Sequence, residues 1–468
     1  MNKNFFYVLF FLGLMGHSQQ LPQFFSDNMV LQQNDTVPIW GLDKPGQKIQ
    51  ITTSWEYKVA TKTNEKGEWR VMLPTKEAGG PYNIYIQGSN LDTIHNILLG
   101  EVWLAAGQSN MNIPLKGYRN TPIDGALDAL SNADHHEIRF FRVNRNPTLR
   151  PASDMSGEWK ISSPENAMEF SAVAYFFADQ LRDKLDVPIG IITSSWGGSK
   201  VQAWLGEDSA TKFSELIIPK VLGDSGKDKR TTPTSLYNGM ISPLQDYAIK
   251  GFLWYQGESD RETTNYKELF VELIDSWRLQ WHDSKLPFYF VQIAPFSYDA
   301  LNPVPGGDAA RVREAQLQTY LSVSGTGMVV TMDVGDCQDV HPSQKKVVGD
   351  RLAYWALADT YQILIPYQSP IFKKAVLQKK TGEVKVYFNY AASGFIRQKN
   401  LKGFYLSDDG KKFKTAKARI SDDGNVLLSI DGLQPRFLSY GYGDCVETGL
   451  KNTYGLPAAP FKASVLVE

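Results

Sequence analysis

The chain has 468 residues, a formal net charge of −1 at pH 7 and an aromatic content of 12%, a composition typical of globular proteins. This length exceeds what one ordinary hydrophobic core organises, so we expect two or three domains. A net charge near zero gives no electrostatic support for a nucleic-acid partner, whereas neutral polymers or small molecules fit it better.

The amino terminus has the features of a secretory signal peptide. Residues 1–4 carry positive charge, residues 5–15 form a short apolar run, and small and polar residues follow them. We therefore predict that residues 1–19 are a signal peptide, cleaved near Ser18 or Gln19, and that the mature protein is periplasmic or extracellular. The apolar run is too short to span a bilayer comfortably and no later stretch qualifies, so we expect no membrane span.

Residues 20–97 show the alternation that is typical of β-strands. Turns containing Gly and Pro separate short strands, which predicts a β-sandwich of immunoglobulin-like size that carries no catalytic residues. The predicted strands are 37–41, 48–52, 69–73 and 82–86.

Residues 98–365 alternate strands with amphipathic helices, a pattern that predicts an α/β domain with a mainly parallel sheet and helices on both faces. The predicted strands are 102–106, 138–141, 189–193, 249–255, 288–293 and 328–333, and the predicted helices are 171–185, 266–281, 309–322 and 343–357. Ser343 is expected to cap the last helix. Its inward-facing residues are expected to be Val347, Val348, Leu352 and Trp355.

Residues 366–468 return to β signals separated by Asp- and Gly-containing turns. These strands are expected either to form a small sandwich of their own or to complete the amino-terminal one. Cys337 and Cys445 could form one disulfide, but a chain of this length does not need it, and we expect two free, buried thiols. Two cysteines cannot build a structural zinc site by themselves, and we expect no metal or other cofactor.

The stretch 98–111 ends an apolar, Trp-containing run abruptly in Gly107-Gln108-Ser109-Asn110. A serine at the carboxyl end of a strand lies where α/β sheets bind their ligands. Taken alone, this stretch is explained better by a serine that caps the following helix. A catalytic Ser109 therefore requires a base and oxyanion donors from elsewhere in the chain.

The histidine best placed to serve Ser109 is His341, because it follows the strand 328–333 and precedes a helix. It should therefore lie at the same edge of the sheet. Asp339 could hold the imidazole in the tautomer that a base needs, although its separation of two residues requires a bent loop. Asp336 or a backbone carbonyl could do the same, and the segment could also be a simple helix-entry turn.

Two further loops are expected at this edge. The strand 189–193 leads to Gly197 and Gly198, whose backbone N–H groups can approach a substrate closely. The strand 249–255 leads to Gln256, which could donate a side-chain N–H to an oxyanion, and to Glu258, which could order the surrounding loops. An ordinary tight turn and a helix cap are the alternatives at these two places.

Together these segments resemble the SGNH hydrolase superfamily, and more closely its sialate O-acetylesterase branch. The matching segments are residues 24–32, 107–111, 196–199, 236–240, 254–259, 339–342 and 455–461. The resemblance covers nearly the whole mature chain. It implies a flavodoxin-like α/β/α hydrolase domain over residues 98–365, between β-rich segments at 20–97 and 366–468, and metal-free ester hydrolysis through an acyl-enzyme.

Carried over by position, the resemblance makes Ser109 the nucleophile and His341 the base. The oxyanion donors would be the N–H of Ser109, the N–H of Gly198 or Gly197, and Gln256. Asn238 falls in a matching segment and is grouped with the substrate-binding residues, as is Glu258. The superfamily's acid stands three residues before the His, where this chain has Gln338, so Asp339 as the third triad member competes with a Ser-His dyad.

The sequence thus predicts an exported serine esterase that removes O-acetyl groups from sugars, foremost sialic acids, without an obligate protein partner. Acetylated xylan is the second substrate considered, and Arg261 is a candidate for binding a sialate carboxylate. The alternative from another class is a secreted, non-catalytic carbohydrate-binding protein.

Overall fold

The computed structural model describes residues 19–298 and 308–467. Residues 1–18 of the predicted signal peptide lie outside these ranges. No helix within them is long and apolar enough to cross a membrane.

The amino-terminal part is built of strands, as predicted. Its strands are β1 (Val30–Gln32), β2 (Thr36–Leu42), β3 (Lys48–Thr53), β4 (Lys58–Lys62), β5 (Glu68–Pro74), β6 (Gly79–Gln87) and β7 (Leu91–Gly107). β2 pairs with β5, while β3 joins β4 and β6, and β7 joins β6 and β1. Alternate residues point into a shared core, as with Ile49 and Ile51 of β3 and Val37 and Ile39 of β2, because successive side chains of a strand face opposite sides.

Strand β7 connects this part to the central sheet. It is 17 residues long and is buried continuously from Ile97 to Gly107. Its first half pairs with β6, and its second half pairs with strands of the central sheet. The predicted boundary between residues 97 and 98 therefore falls within one continuous strand.

The central sheet contains all six strands predicted for residues 98–365. Besides β7, it comprises β8 (Ile138–Arg142), β9 (Trp159–Ile161), β10 (Ile189–Ser195), β11 (Gly251–Tyr255), β12 (Phe288–Val291) and β13 (Thr326–Val329), in the order β13-β12-β11-β7-β10-β8-β9. All pairs are parallel except that of β8 with β9, an edge strand that the sequence did not predict. When β8 is set aside, the strands β7, β10, β11, β12 and β13, numbered along the chain, have the flavodoxin order 2-1-3-4-5, and β8 extends the sheet beyond β10.

Helices cover both faces of this sheet, as predicted. The α-helices are α1 (Ser109–Asn112), α2 (Ala126–Ser131), α3 (Pro164–Ala167), α4 (Ala172–Leu185), α5 (Glu207–Ala210), α6 (Gly226–Thr231), α7 (Ser235–Met240), α8 (Tyr266–Gln280), α9 (Asp308–Ser322) and α10 (Lys345–Trp355). Short 3-10 turns span Val201–Trp204, Ser242–Leu244 and Glu258–Asp260, and a π-helical turn, Ala356–Thr360, follows α10. α4 and α10 pack with Trp103 of β7 in one core, and α8 and α9 pack with Leu104 in the other.

The predicted cap of the last helix is wrong. α10 begins at Lys345, and its N-cap residue, Gln344, makes no side-chain cap hydrogen bond. The Ser343 hydroxyl instead donates to the Asp124 carboxylate at 2.8 Å. A contact with a distant loop therefore replaces the local one that the sequence suggested.

The carboxyl-terminal strands form a sandwich of their own, which answers the question that the sequence left open. They are β14 (Ile371–Leu377), β15 (Val384–Asn389), β16 (Phe404–Ser407), β17 (Lys414–Thr415), β18 (Lys417–Ile420), β19 (Val426–Ser429), β20 (Phe437–Tyr440), β21 (Phe461–Ser464) and β22 (Leu466–Val467). One sheet has the order β18-β19-β15-β14-β22 and the other β17-β16-β20-β21. Val386 and Leu428 of the first sheet share a core with Leu406 and Leu438 of the second.

The expectation of two free thiols is also wrong, because Cys337 and Cys445 form a disulfide with their Cα atoms 5.7 Å apart. This separation lies within the usual range for such bridges. The sandwich loop before Cys445 is held against α9, where Asp444 accepts a hydrogen bond from the Ala309 N–H at 2.9 Å. The disulfide therefore joins the sandwich to the loop that follows β13.

Candidate active site

Ser109 lies at the carboxyl end of β7, in a turn that only a glycine permits. Gly107 has φ +138°, and a Cβ atom at this position would lie 2.2 Å from the Tyr255 carbonyl oxygen. The same carbonyl accepts the Gln108 N–H at 3.0 Å, which fixes the turn against β11. Gln108 occupies the N-cap position and Ser109 is the first residue of α1, so its hydroxyl does not cap the helix.

The structure brings Ser109 and His341 together. Ser109 Oγ lies 2.9 Å from His341 Nε2, within hydrogen-bond distance. Burial lowers the pKa of His341 below its usual value, the nearby Lys345 lowers this pKa further, and Asp339 acts in the opposite direction. The imidazole is therefore neutral at pH 7 and can accept a proton from the serine hydroxyl.

Neither candidate acid forms a hydrogen bond with the imidazole ring. Asp339 Oδ1 accepts the backbone N–H of His341 at 2.8 Å but lies 3.9 Å from Nδ1, too far for a hydrogen bond. The Asp336 carboxylate accepts the backbone N–H of Gln338 at 2.8 Å. The geometry is that of a Ser-His pair with an aspartate nearby.

The glycine pair lies directly against the serine. A Cβ atom on Gly197 would be 3.3 Å from the Cβ atom of Ser109, and Gly198 has φ +74°. The loop is tied to the serine turn by the Trp196 N–H, which donates to the Gly107 carbonyl at 3.0 Å. In the described part of the chain, the N–H groups of Ser109, Gly197 and Gly198 donate no hydrogen bond, and they are therefore available to an oxyanion.

The other predicted site residues are engaged elsewhere. Both N–H groups of the buried Gln256 amide are used, one by the Ser199 carbonyl at 3.0 Å and one by the Asp260 carboxylate. Donation to an oxyanion would require one of these bonds to break. Asn238 is buried in α7, where its amide donates to the Thr148 carbonyl at 3.3 Å, and it makes no contact with the Ser-His pair.

Two residues that the sequence did not single out complete the polar surroundings. Lys345 Nζ donates to Asn110 Oδ1 and to the Pro342 carbonyl, both at 2.7 Å. Asn110 Nδ2 in turn donates to Glu258 Oε1 at 2.5 Å and to the Val340 carbonyl at 3.0 Å. Asn110 belongs to a matched motif, but a lysine at a helix start normally indicates an exposed side chain.

A cleft of about 630 Å³ lies over the ends of β8 and β10, and its lining reaches Asn112 of α1 but includes neither Ser109 nor His341. Its wall also includes Arg142 and Arg145. The Arg145 guanidinium lies 5.1 Å from the centre of the Trp196 ring.

A further arginine, Arg230, lies against the glycine pair. Its Nε is 2.9 Å from where a Gly198 Cβ would be, and this buried atom has no hydrogen-bond partner. Among the described residues, neither Arg230 nor Arg145 forms an ion pair. Arg261, the residue first considered for a carboxylate, is engaged instead: it donates to the Glu258 carbonyl at 3.2 Å and stacks 3.8 Å above the Tyr298 ring.

Comparisons with known proteins agree with this geometry. Residues 99–358 match the family described as carbohydrate esterase, sialic acid-specific acetylesterase. The chain is 28% identical to human sialate O-acetylesterase over 90% of its length and 86% of that protein, and 27% identical to the mouse enzyme over 93% of both. The crystal structure of a carbohydrate acetylesterase from Xanthomonas citri superposes with a TM-score of 0.86 at 34% identity, covering 95% of this chain and 99% of the other.

Proposed function

Since the chain belongs to the family of sialic acid-specific carbohydrate acetylesterases and is a carboxylic ester hydrolase, we propose that it removes O-acetyl groups from sialic acids through an acetyl-serine intermediate. The observation that carries the mechanism is the 2.9 Å contact between Ser109 Oγ and His341 Nε2. The names of the curated relatives, all sialate O-acetylesterases, support the substrate.

In the first half-reaction, Ser109 Oγ attacks the acetyl carbonyl carbon while His341 Nε2 takes the hydroxyl proton. The oxyanion that develops accepts hydrogen bonds from the N–H of Ser109 and from the N–H of Gly198 or Gly197. When the ester C–O bond breaks, His341 returns the proton to the departing sugar oxygen. A water molecule then attacks the acetyl carbon with His341 as base. As the bond between this carbon and Ser109 Oγ breaks, His341 returns the proton to Oγ, and acetic acid leaves and ionises to acetate.

In this mechanism Gln256 does not bind the oxyanion but supports the loop that carries the glycine donor. Its bonds to the Ser199 carbonyl and the Asp260 carboxylate hold the end of the glycine loop against the loop that follows β11. We therefore assign the oxyanion to the two backbone donors alone. Glu258 supports the serine through Asn110, and Asn238 supports the loop at Thr148.

The unpaired arginines favour an anionic sugar over a neutral polymer such as acetylated xylan. A buried guanidinium nitrogen without a partner is costly, and a carboxylate is its best complement. Arg230 lies against Gly198, a proposed oxyanion donor, so we assign it, rather than Arg261, to the carboxylate of the sugar.

Export of the protein is part of the proposal. The disulfide between Cys337 and Cys445 supports it, because such bridges persist in oxidising compartments. Detection of the mature chain in the periplasm or the medium, beginning near Gln19, tests this part.

The mechanism is tested with Ser109→Ala and His341→Ala, each assayed on O-acetylated sialic acid, acetylated xylan and 4-nitrophenyl acetate. Each variant is expected to lose at least about a thousandfold in kcat. His282→Ala is the matched control, since its side chain is 78% exposed and lies in the loop between α8 and β12, before the amino end of that strand. Full activity in either variant would overturn the mechanism.

The substrate and the non-catalytic alternative are decided by two other readouts. A higher kcat/KM on acetylated xylan than on O-acetylated sialic acid would make acetylated xylan the substrate in place of sialic acid. Absence of a covalent adduct on Ser109 after treatment with a serine-directed inhibitor would favour a carbohydrate-binding protein without activity.

A further inference from the structure

Lys345 is a buried cationic side chain that the proposed mechanism does not use. Its exposed fraction is 0%, which is rare for a lysine. Among the described residues its Nζ lies within 4 Å of no carboxylate, and its two hydrogen bonds, both at 2.7 Å, go to the neutral oxygens of Asn110 and Pro342. Such a group is costly to bury and requires an explanation.

The two acceptors of Lys345 are the chain neighbours of the two reacting residues. Asn110 follows Ser109, and Pro342 follows His341. Asn110 also donates to the Val340 carbonyl at 3.0 Å, on the other side of His341. The lysine therefore ties the start of α1, which carries the nucleophile, to the loop that carries the base.

The charged and titratable groups that face Lys345 are few. Burial lowers its pKa to about 7, while Glu258 and Asp339 act to raise this pKa. The Tyr255 ring lies 6.0 Å from Nζ, and burial keeps the pKa of this phenol far above neutrality. Glu258 is itself buried, which raises its pKa, and its Oε2 has no hydrogen-bond partner. His341 is the remaining group, and Lys345 lowers its pKa.

We propose that Lys345 is a positioning residue that holds Ser109 and His341 in reacting geometry and, as a cation, keeps the imidazole unprotonated towards acidic pH. The inference rests on the proposed function. Both protonation states of the amine have enough N–H donors for the two acceptors, so the positioning persists as pH changes. The electrostatic effect belongs to the protonated form, which prevails below about pH 7.

Lys345 helps to orient His341, a function that Asp339 does not perform through the ring. An aspartate hydrogen-bonded to Nδ1 would orient the ring, but here Oδ1 is 3.9 Å away. The orientation of the His341 loop comes instead from its backbone carbonyls, at Val340 and Pro342, which are held by Asn110 and Lys345.

The test is Lys345→Met, which keeps the length of the side chain and removes the charge and both hydrogen bonds. We expect kcat on 4-nitrophenyl acetate to fall roughly 10- to 100-fold, with KM within about twofold, since small misplacements of reacting groups have effects of this size. The acid limb of kcat/KM should move to higher pH, because His341 loses a neighbouring positive charge. Lys346→Met, which removes an exposed lysine paired with Asp350, should change neither quantity.

Asn110→Ala separates geometry from charge. It breaks one bond to Nζ and the bonds to Val340 and Glu258 but keeps the lysine cation, so kcat should fall while the acid limb stays in place. In the unaltered protein, an NMR titration of His341 should give a midpoint below 6.5; this measurement needs no variant to fold.

Wild-type kcat in both Lys345→Met and Asn110→Ala would overturn the positioning role. An unmoved acid limb in Lys345→Met, or a His341 midpoint at or above 6.5, would overturn the electrostatic role. Because Ser109→Ala tests the mechanism separately, a failed inference about Lys345 is distinguishable from a failed assignment of the active site.

Discussion

Replacement of Asp339 by Asn separates a triad from a dyad. The substitution removes the charge but keeps a side-chain oxygen that can accept the backbone N–H of His341. The hydrogen bond between these two atoms, 2.8 Å long in the structure, should therefore survive. Two unit charges at the observed 3.9 Å attract by about 1 kcal/mol in a water-like medium and about 4 kcal/mol at a dielectric constant of 20. The Asp339 side chain is 35% exposed, so solvent screening places the effect near the lower value.

About 1 kcal/mol of imidazolium stabilisation corresponds to a loss of roughly fivefold in kcat for Asp339→Asn. An aspartate that bonds Nδ1 in a triad contributes about ten-thousandfold. Steady-state kinetics with 4-nitrophenyl acetate and O-acetylated sialic acid at pH 8 can tell these values apart, with Asp336→Asn as the control. A loss above about a thousandfold, in a variant with unchanged thermal stability, would show that the ring and carboxylate meet during turnover and would refute the dyad.

Two further substitutions test the proposed carboxylate-binding arginine and the disulfide. Arg230→Ala should raise KM for O-acetylated sialic acid at least about tenfold, because a charge-assisted contact is lost. KM for 4-nitrophenyl acetate should not change. An equal rise in KM for both substrates would show that Arg230 does not bind the carboxylate. Replacing Cys337 and Cys445 together by Ser should lower the free energy of unfolding by about 2–5 kcal/mol, measured by denaturant titration. Adding a reductant should lower the free energy of unfolding of the unaltered protein to the value of the double variant. If neither the substitutions nor the reductant changed this free energy, the bridge would have no structural role.

The fold and the reacting pair could be predicted because they depend on local patterns. Apolar runs that end in glycine placed Ser109 and the glycine loop at strand ends, and the strand before His341 put that residue at the same edge. In a parallel sheet these ends lie at one edge. The rule predicts that Ser109 and His341 share this edge, whereas their 2.9 Å contact depends on the loop after β13, a strand three places from β7 in the sheet.

The features that the sequence did not indicate depend on contacts between distant segments. Cys337 and Cys445 are 108 positions apart, and nothing local to either predicts that they meet. Ser343 is a residue type that caps helices, but its hydroxyl donates to the carboxylate of Asp124, which lies in a loop more than two hundred residues earlier in the chain.

The burial of Lys345 at the active site also depends on distant segments and could not be predicted from its local sequence. At the start of a helix, next to Lys346, it has the pattern of a solvent-exposed residue. It is buried because the turn at Asn110 and the loop at Pro342 close around it. Its role therefore became visible only with the fold.

Strand β7 limits how this enzyme can be divided or recombined. The region shared with the family begins at residue 99, inside a strand that runs from Leu91 to Gly107. A chain shortened to that region would lose the partners of Leu99, which are Leu31 of β1 and Gly79 of β6, and would leave a hydrophobic strand end exposed to aggregation. The catalytic sheet and the amino-terminal strands are therefore expected to be exchanged between proteins as one piece. The carboxyl-terminal sandwich has a separate core, but its replacement would leave Cys337 without its disulfide partner.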